Sequence, residues 1–205
     1  MAFVTKNTPK LETERLILRK FTKYDANAMY DILKDDEANT FLPWFPAKNI
    51  HEAKIHLKEK YLDKYANDIG FHYAVCIKES NMPVGYINIS DDDSHDLGYG
   101  LRKEYWHKGI MTEACRAVAD IIKNTELKYI TATHDINNPR SGEVMKKIGM
   151  IYKYSYEELV QPKNMLVTFR MYQLNLDGHT ERIYKKLSSC GRRLHSYFHL
   201  RKIWG

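Results

Sequence analysis

Apolar and polar positions alternate from Arg15 to Phe21, the pattern of a half-buried strand. Thr22 with Asp25 three residues later resembles a capping box, and Ala26, Met29, Ile32 and Leu33 then recur at helical spacing. Asn49 is placed to cap a second helix that carries Ile50, Ala53, Leu57 and Leu62 on one face. Between the two helices, Thr40–Pro46 reads TFLPWFP, a stiff aromatic loop of the kind that walls a pocket or packs onto the core. Three strands follow, His72–Ile77, Val84–Ile89 and Asp96–Leu101, joined by turns at Ser80–Pro83 and Asp91–Ser94. Gly98 and Gly100 interrupt the third of these and predict a bulge or a close approach.

At Gly109 the period becomes helical, with Ile110, Ala114, Ala117, Val118 and Ile121 on one face. A strand Tyr129–Thr133, a short helix Ser141–Ile148 closed by Gly149, and two strands, Ile151–Leu159 and Met165–Leu174, complete the pattern. The last two are joined as a hairpin by Gln161–Asn164. Strands and helices mixed in this way, with one strand–helix–strand crossover, predict an α+β domain with a mixed sheet.

The composition fits a soluble globular chain: 205 residues, 43% hydrophobic and 28% charged. No apolar run approaches the ~18–20 residues of a membrane span, and the N-terminal stretch lacks a signal-peptide core, so neither membrane insertion nor secretion is expected. Cys76, Cys115 and Cys190 are odd in number and far apart, which excludes a disulfide framework or a cysteine-rich zinc site and points to a reducing cytoplasm. The net charge of +6 changes meaning once located. Positions 179–205 hold seven basic residues and only Glu181 as an acid, so the body, 1–178, is balanced. The chain therefore divides into a domain, 1–178, and a basic tail, 179–205. Such a tail can bind phosphate polymers, but a solvated extension is the more ordinary case and nucleic acid is not an expected partner.

The densest chemistry lies in Leu97–Ala114: a strand, a short basic loop with one glycine, then a helix start. The first turn of a helix leaves N–H groups unpaired at the positive end of its dipole. With His107 and Lys108 before Gly109, and Ile110, Met111 and Thr112 after it, the segment offers a site for an anion, most naturally a pyrophosphate. An ordinary helix start fits the same residues. No G-x-x-x-x-G-K-[ST] or G-x-G-x-x-G run occurs, which disfavours the nucleoside triphosphate and dinucleotide folds.

Three segments in register resemble one family. Leu97-Gly98-Tyr99 with the basic loop, Gly109 and Thr112-Glu113-Ala114 is similar to the cofactor segment of the GNAT N-acetyltransferase superfamily. Asn138-Pro139-Arg140-Ser141 followed by Val144–Met150 is similar to its closing motif. Leu11–Arg19, LETERLILR, resembles the start of its ribosomal-protein N-terminal acetyltransferase branch. The resemblance spans roughly residues 10–175. It implies a central mixed, mostly antiparallel sheet splayed between the fourth and fifth strands and flanked by helices, with acetyl-CoA as co-substrate and no metal. The pantetheine would pair with backbone between Tyr99 and Leu101, the pyrophosphate with the amides of His107 to Thr112, and Asn138 would join the parted strand to the cofactor. In the family the loop reads Gln/Arg-x-x-Gly-x-Gly/Ala. Here Trp106 and Met111 stand at its ends; the amides survive both changes, provided the Met111 side chain turns away.

The implied reaction is direct transfer of acetyl to a primary amine, a protein N-terminus or a small amine, in a ternary complex. Asp96 matches the position of a family base, and is otherwise a turn carboxylate. Ser141 matches a proton donor for the departing thiolate, and is otherwise the cap of its helix. Met145 stands where many relatives carry a tyrosine, which excludes a tyrosine acid at that position. A strand N–H near Leu97 to Tyr99 would meet the developing oxyanion. His95, His107 and His134 are the further titratable residues of this half; His134 would face the cleft, although a structural histidine is the commoner case. His195 and His199 in the tail share the i, i+4 spacing of a metal pair with Cys190 nearby, but no fourth ligand follows and no metal is expected. The alternative from another class is a non-catalytic acyl-CoA-binding or sensor domain of the same fold. The partners expected are acetyl-CoA and an amine, with no membrane; a homodimer is left open.

Overall fold

The computed structural model describes residues 6–185. Leu11–Glu12 (β1), Leu16–Arg19 (β2), His72–Ile77 (β3), Met82–Ile89 (β4) and Leu97–Leu101 (β5) form one antiparallel sheet in chain order. A second sheet has Tyr129–Asp135 (β6) and Ile151–Val160 (β7) on either side of Met165–Asn175 (β8), again antiparallel. The sequence pattern predicts these strands within a few residues, apart from the two-residue β1. The expected first strand is shorter because Asp25 accepts from the Thr22 amide at 2.7 Å and its hydroxyl at 3.0 Å, closing the chain into a 3-10 turn.

Helices cover both faces of the first sheet. Ala26–Leu33 (α1), Asp36–Asn39 (α2) and Ile50–Leu57 (α3) lie on one side, where Met29, Leu33, Ala53 and Leu57 pack with Phe21, Ala74 and Tyr86. A widened turn at Lys58–Leu62 carries Tyr61 into this core, and Leu62, predicted to face inward, is only partly buried. Ile110–Ile122 (α4) covers the other side through Ile110, Met111, Ala114, Cys115, Val118 and Ile122, packed on Leu16, Leu18, Val75 and Ile87. The buried stripe thus runs one position away from the predicted Ala117 and Ile121, which are half-buried. Pro139–Lys147 (α5) completes the layer against β6.

The predicted bulge in β5 is absent, since β4 and β5 pair without a register shift from Gly85–Leu101 to Ile89–Leu97. The two glycines answer to the close approach instead: a Cβ on Gly100 would lie 2.5 Å from the Tyr86 ring. From residue 179 the described chain runs back along the second sheet, where Gln173 accepts from the Tyr184 amide at 2.8 Å and Tyr154 donates to the Tyr184 carbonyl at 2.7 Å. Cys190, His195 and His199 lie outside the described residues. Among the described residues no helix is long and apolar enough to cross a membrane.

Candidate active site

The fourth and fifth predicted strands are β5 and β6, and they separate as expected. Among the described residues they share a single parallel bridge, Asp96 to Thr131, with the Thr131 amide donating to the His95 carbonyl at 3.3 Å. Beyond it the strands diverge around a cleft of about 2290 Å³. That exceeds the ~300–1,000 Å³ of ordinary small-molecule pockets. One wall is Leu97–Leu101 with the aromatic loop Thr40–Phe45, so that loop does shape the pocket. The other wall is Thr133–Asp135, the start of α5 and Tyr156–Val160 of β7. The walls meet again at the hairpin tip, where Lys163 Nζ donates to the Asn39 carbonyl at 2.7 Å and the Thr40 carbonyl at 3.2 Å.

At one end of the cleft sits the basic loop. Trp106 Nε1 donates to the Leu101 carbonyl at 2.9 Å and anchors the loop to the strand end. His107 and Gly109 both take left-handed backbone conformations, φ 60° and 74°, and Gly109 caps α4 with no side-chain bond. Only glycine adopts this conformation without steric cost. The first intrahelical bond runs from the Glu113 amide to the Gly109 carbonyl at 3.0 Å. The amides of Ile110, Met111 and Thr112 precede it and have no acceptor within the helix. Ile110 and Met111 are buried in the core, so the Met111 side chain is turned away from the loop, while His107, Lys108 and Gly109 are exposed.

Asp96 lies at the apex of the parting. Its Oδ1 accepts from Thr131 Oγ1 at 3.3 Å, and its backbone exchanges bonds with Ser90. Ser141 is not a helix cap. Pro139, with its fixed φ, opens α5 two residues earlier than predicted, and Asn138 is the cap, its Oδ1 accepting from the Ser141 amide at 3.4 Å. That leaves the Ser141 hydroxyl for Tyr99, whose phenol crosses from β5 and lies 2.9 Å from Ser141 Oγ while donating to the Ser141 carbonyl at 2.7 Å. Burial pushes the Tyr99 phenol well above its ordinary value.

The histidines separate by environment. His134 Nδ1 lies 2.8 Å from the Asp135 carbonyl, its Nε2 is enclosed without a hydrogen-bond partner, and burial lowers its pKa. It lines the cleft. His95, in the turn before β5, packs at a tilt against the Tyr129 ring. His56 of α3, absent from the sequence reading, lines the cleft edge-on to Trp44 at 5.3 Å, with burial pushing its pKa down to about 3. Tyr99 as a side chain, Lys163, and the pair Arg15 and Glu113 were likewise not legible as site residues, although Arg15 and Glu113 both stand inside the quoted motifs. Among the described residues, no group of three or more potential ligands could hold a metal.

A family model described as an acetyltransferase (GNAT) domain matches residues 15–151. The chain belongs to the GNAT acetyltransferases. Two relatives carry the name N-acetyltransferase. YnaD of Bacillus subtilis is 26% identical over 68% of this chain and 81% of its own length; p20 of Bacillus licheniformis is 23% identical over 80% and 94%. The fold matches a GNAT acetyltransferase from Bacillus anthracis with a TM-score of 0.72 at 22% identity, covering 82% of this chain and 99% of that one. It matches RimL, a ribosomal L7/L12 alpha-N-protein acetyltransferase in complex with coenzyme A, at 0.71 and 14% over 82% and 99%. Acetyl transfer is the chemistry of this GNAT chain, and the non-catalytic alternative is not favoured.

Proposed function

We propose that the chain transfers acetyl from acetyl-CoA to a primary amine, a protein N-terminus or a small amine, held together in the cleft. The observation that carries this is the left-handed turn at Gly109, which leaves the amides of Ile110, Met111 and Thr112 unpaired at the end of a parted pair of strands. Three such donors at the positive end of a thirteen-residue helix suit a pyrophosphate. The residues present therefore fit the cofactor. His107 and Lys108 add exposed donors beside them, Tyr99 and Leu101 offer the strand, and Asn138 stands across the gap. Bound there, the thioester supplies an already activated acyl group.

The remaining work falls to the chain. A primary amine is mostly protonated near neutral pH, and Asp96 at the apex accepts its proton directly or through water. An N–H of Leu97 to Tyr99 stabilises the negative charge that grows on the carbonyl oxygen. The proton that the attacking nitrogen sheds as the amide forms passes through the Ser141 hydroxyl to the leaving thiolate, so the serine ends as it began, and Tyr99 holds that hydroxyl in place. The test is turnover: acetyl-CoA incubated with the chain and a panel of N-terminal peptides and small amines should release free thiol and yield an acetyl amide with at least one acceptor class. Binding of acetyl-CoA with no thiol released by any of them would refute the assignment.

A further inference from the structure

The opening motif LETERL has no role in the reaction as described, yet it makes the most polar contact with α4. Thr13 donates to Glu113 Oε1 at 2.6 Å, and the Arg15 amide donates to the same oxygen at 3.1 Å. The Arg15 guanidinium takes Glu113 Oε2 with two nitrogens, Nε at 2.7 Å and Nη2 at 2.6 Å. Four donors thus fill both carboxylate oxygens of a residue in the first turn of α4. Burial would raise the Glu113 pKa, but Thr13 and Arg15 outweigh it and hold the carboxyl below its ordinary value. Isolated surface pairs contribute little; a forked, hydrogen-bonded network of this kind fixes geometry.

The third arm of the guanidinium matters for the loop. Arg15 Nη1 donates to the Lys108 carbonyl at 2.9 Å. Across a trans peptide the carbonyl of one residue and the N–H of the next point in opposite directions. Drawing the Lys108 carbonyl toward Arg15 therefore turns the Gly109 N–H away from Arg15. Gly109 lies between two spaces, lining the cleft on one side and a shallow pocket with Thr13, Arg15 and Glu113 on the other. One side chain grips both sides of the Gly109 turn: the carbonyl that enters it and, through Glu113, the helix that leaves it.

We infer that Arg15, with Thr13 and Glu113, is a positioning clamp that aims the amides of residues 109–112 at the pyrophosphate of the cofactor. This rests on the cofactor reading above. The clamp acts through the backbone of the loop, so its effect falls on the pyrophosphate-bearing part of the ligand.

The experiment compares two ligands on the full chain. Coenzyme A is titrated by calorimetry, and pantetheine, which shares the thiol arm but lacks the pyrophosphate, by saturation-transfer NMR. Arg15→Met and Glu113→Gln should each weaken coenzyme A about tenfold and leave pantetheine unchanged, and the double variant should lose little more than either single one. Should Arg15→Met fail to fold, Arg15→Lys carries the same comparison, since it keeps the charge but cannot fork between Glu113 and Lys108. Hydrogen exchange at the Glu113 amide, which closes the first turn of α4 onto the Gly109 carbonyl, should quicken in the unliganded variants. Equal coenzyme A affinity in wild type and variants would overturn the clamp, as would equal weakening of both ligands, which marks a general structural role. A wild-type chain that binds no coenzyme A would instead overturn the cofactor reading, and the clamp with it.

Discussion

The Tyr99 phenol and the Ser141 hydroxyl, 2.9 Å apart, join the two strands' sides of the cleft just where they have separated. Because the phenol already donates to the Ser141 carbonyl at 2.7 Å, its oxygen is free to accept from the Ser141 hydroxyl. Ser141→Ala should lower kcat by about tenfold, a modest effect because the departing thiol has a reference pKa of about 8.5. A donor thioester with a more acidic thiol should erase the difference. Tyr99→Phe should lower kcat as well, and the two losses should not add, because they act through one hydrogen bond. Steady-state kinetics on the single and double variants with both donors checks this.

Asp96→Asn should depress the rate near neutral pH and recover it as pH rises and the acceptor amine loses its proton unaided. Rate profiles of wild type and variant against pH would therefore converge at the alkaline end. Parallel profiles would take the proton-accepting role away from Asp96.

Gly109→Pro removes an amide and forces φ from 74° to about −65°. Coenzyme A affinity measured by calorimetry should fall by at least about tenfold, since the unpaired amides of α4 lose their common direction. A Gly109→Ala chain, strained but with its amide intact, should fall between the two.

A stability prediction concerns Asp25, whose carboxylate is forked by Arg19 at 2.8 and 2.9 Å with little of either side chain exposed. Burial would raise its pKa; the Arg19 fork and the Thr22 bonds outweigh that and hold it below the ordinary value. A depressed carboxylate contributes stability that is fully present above its unfolded-state pKa, near 4, and lost as pH falls through the folded-state value. Asp25→Asn should cost about 3 kcal/mol at pH 7, and the gap between variant and wild type should narrow below about pH 4. Urea unfolding at pH 7 and pH 3 measures both.

β2 was legible because its burial alternates and α4 because its buried positions recur at helical spacing, whereas β3 and β4, buried on both faces, were legible as apolar runs bounded by turn residues. The start of α4 at Gly109 was legible because a glycine between a strand and a helical repeat marks an element boundary; an anion loop and an ordinary helix start fit those residues alike. Ser141 was read as cap or acid, and the structure removes the cap: Pro139 sets the helix start and hands capping to Asn138, a local competition between serine and asparagine that composition alone does not decide. The turn at Lys58–Leu62 slipped the inward face from Leu62 to Tyr61, which period-matching to an α-helix cannot see. His56, Lys163 and the Tyr99 phenol belong to the site only through long-range packing, and no local pattern announces that.

The grip of Lys163 on the Asn39 and Thr40 carbonyls gives the molecule a second seam opposite the one at Asp96. Sheet and helical flank then form a frame around an aperture, and the frame holds its circumference as long as one ammonium keeps its seat. Without that ammonium the two walls would be tied, among the described residues, only at the inner end, by the Asp96 bridge and the Tyr99–Ser141 contact.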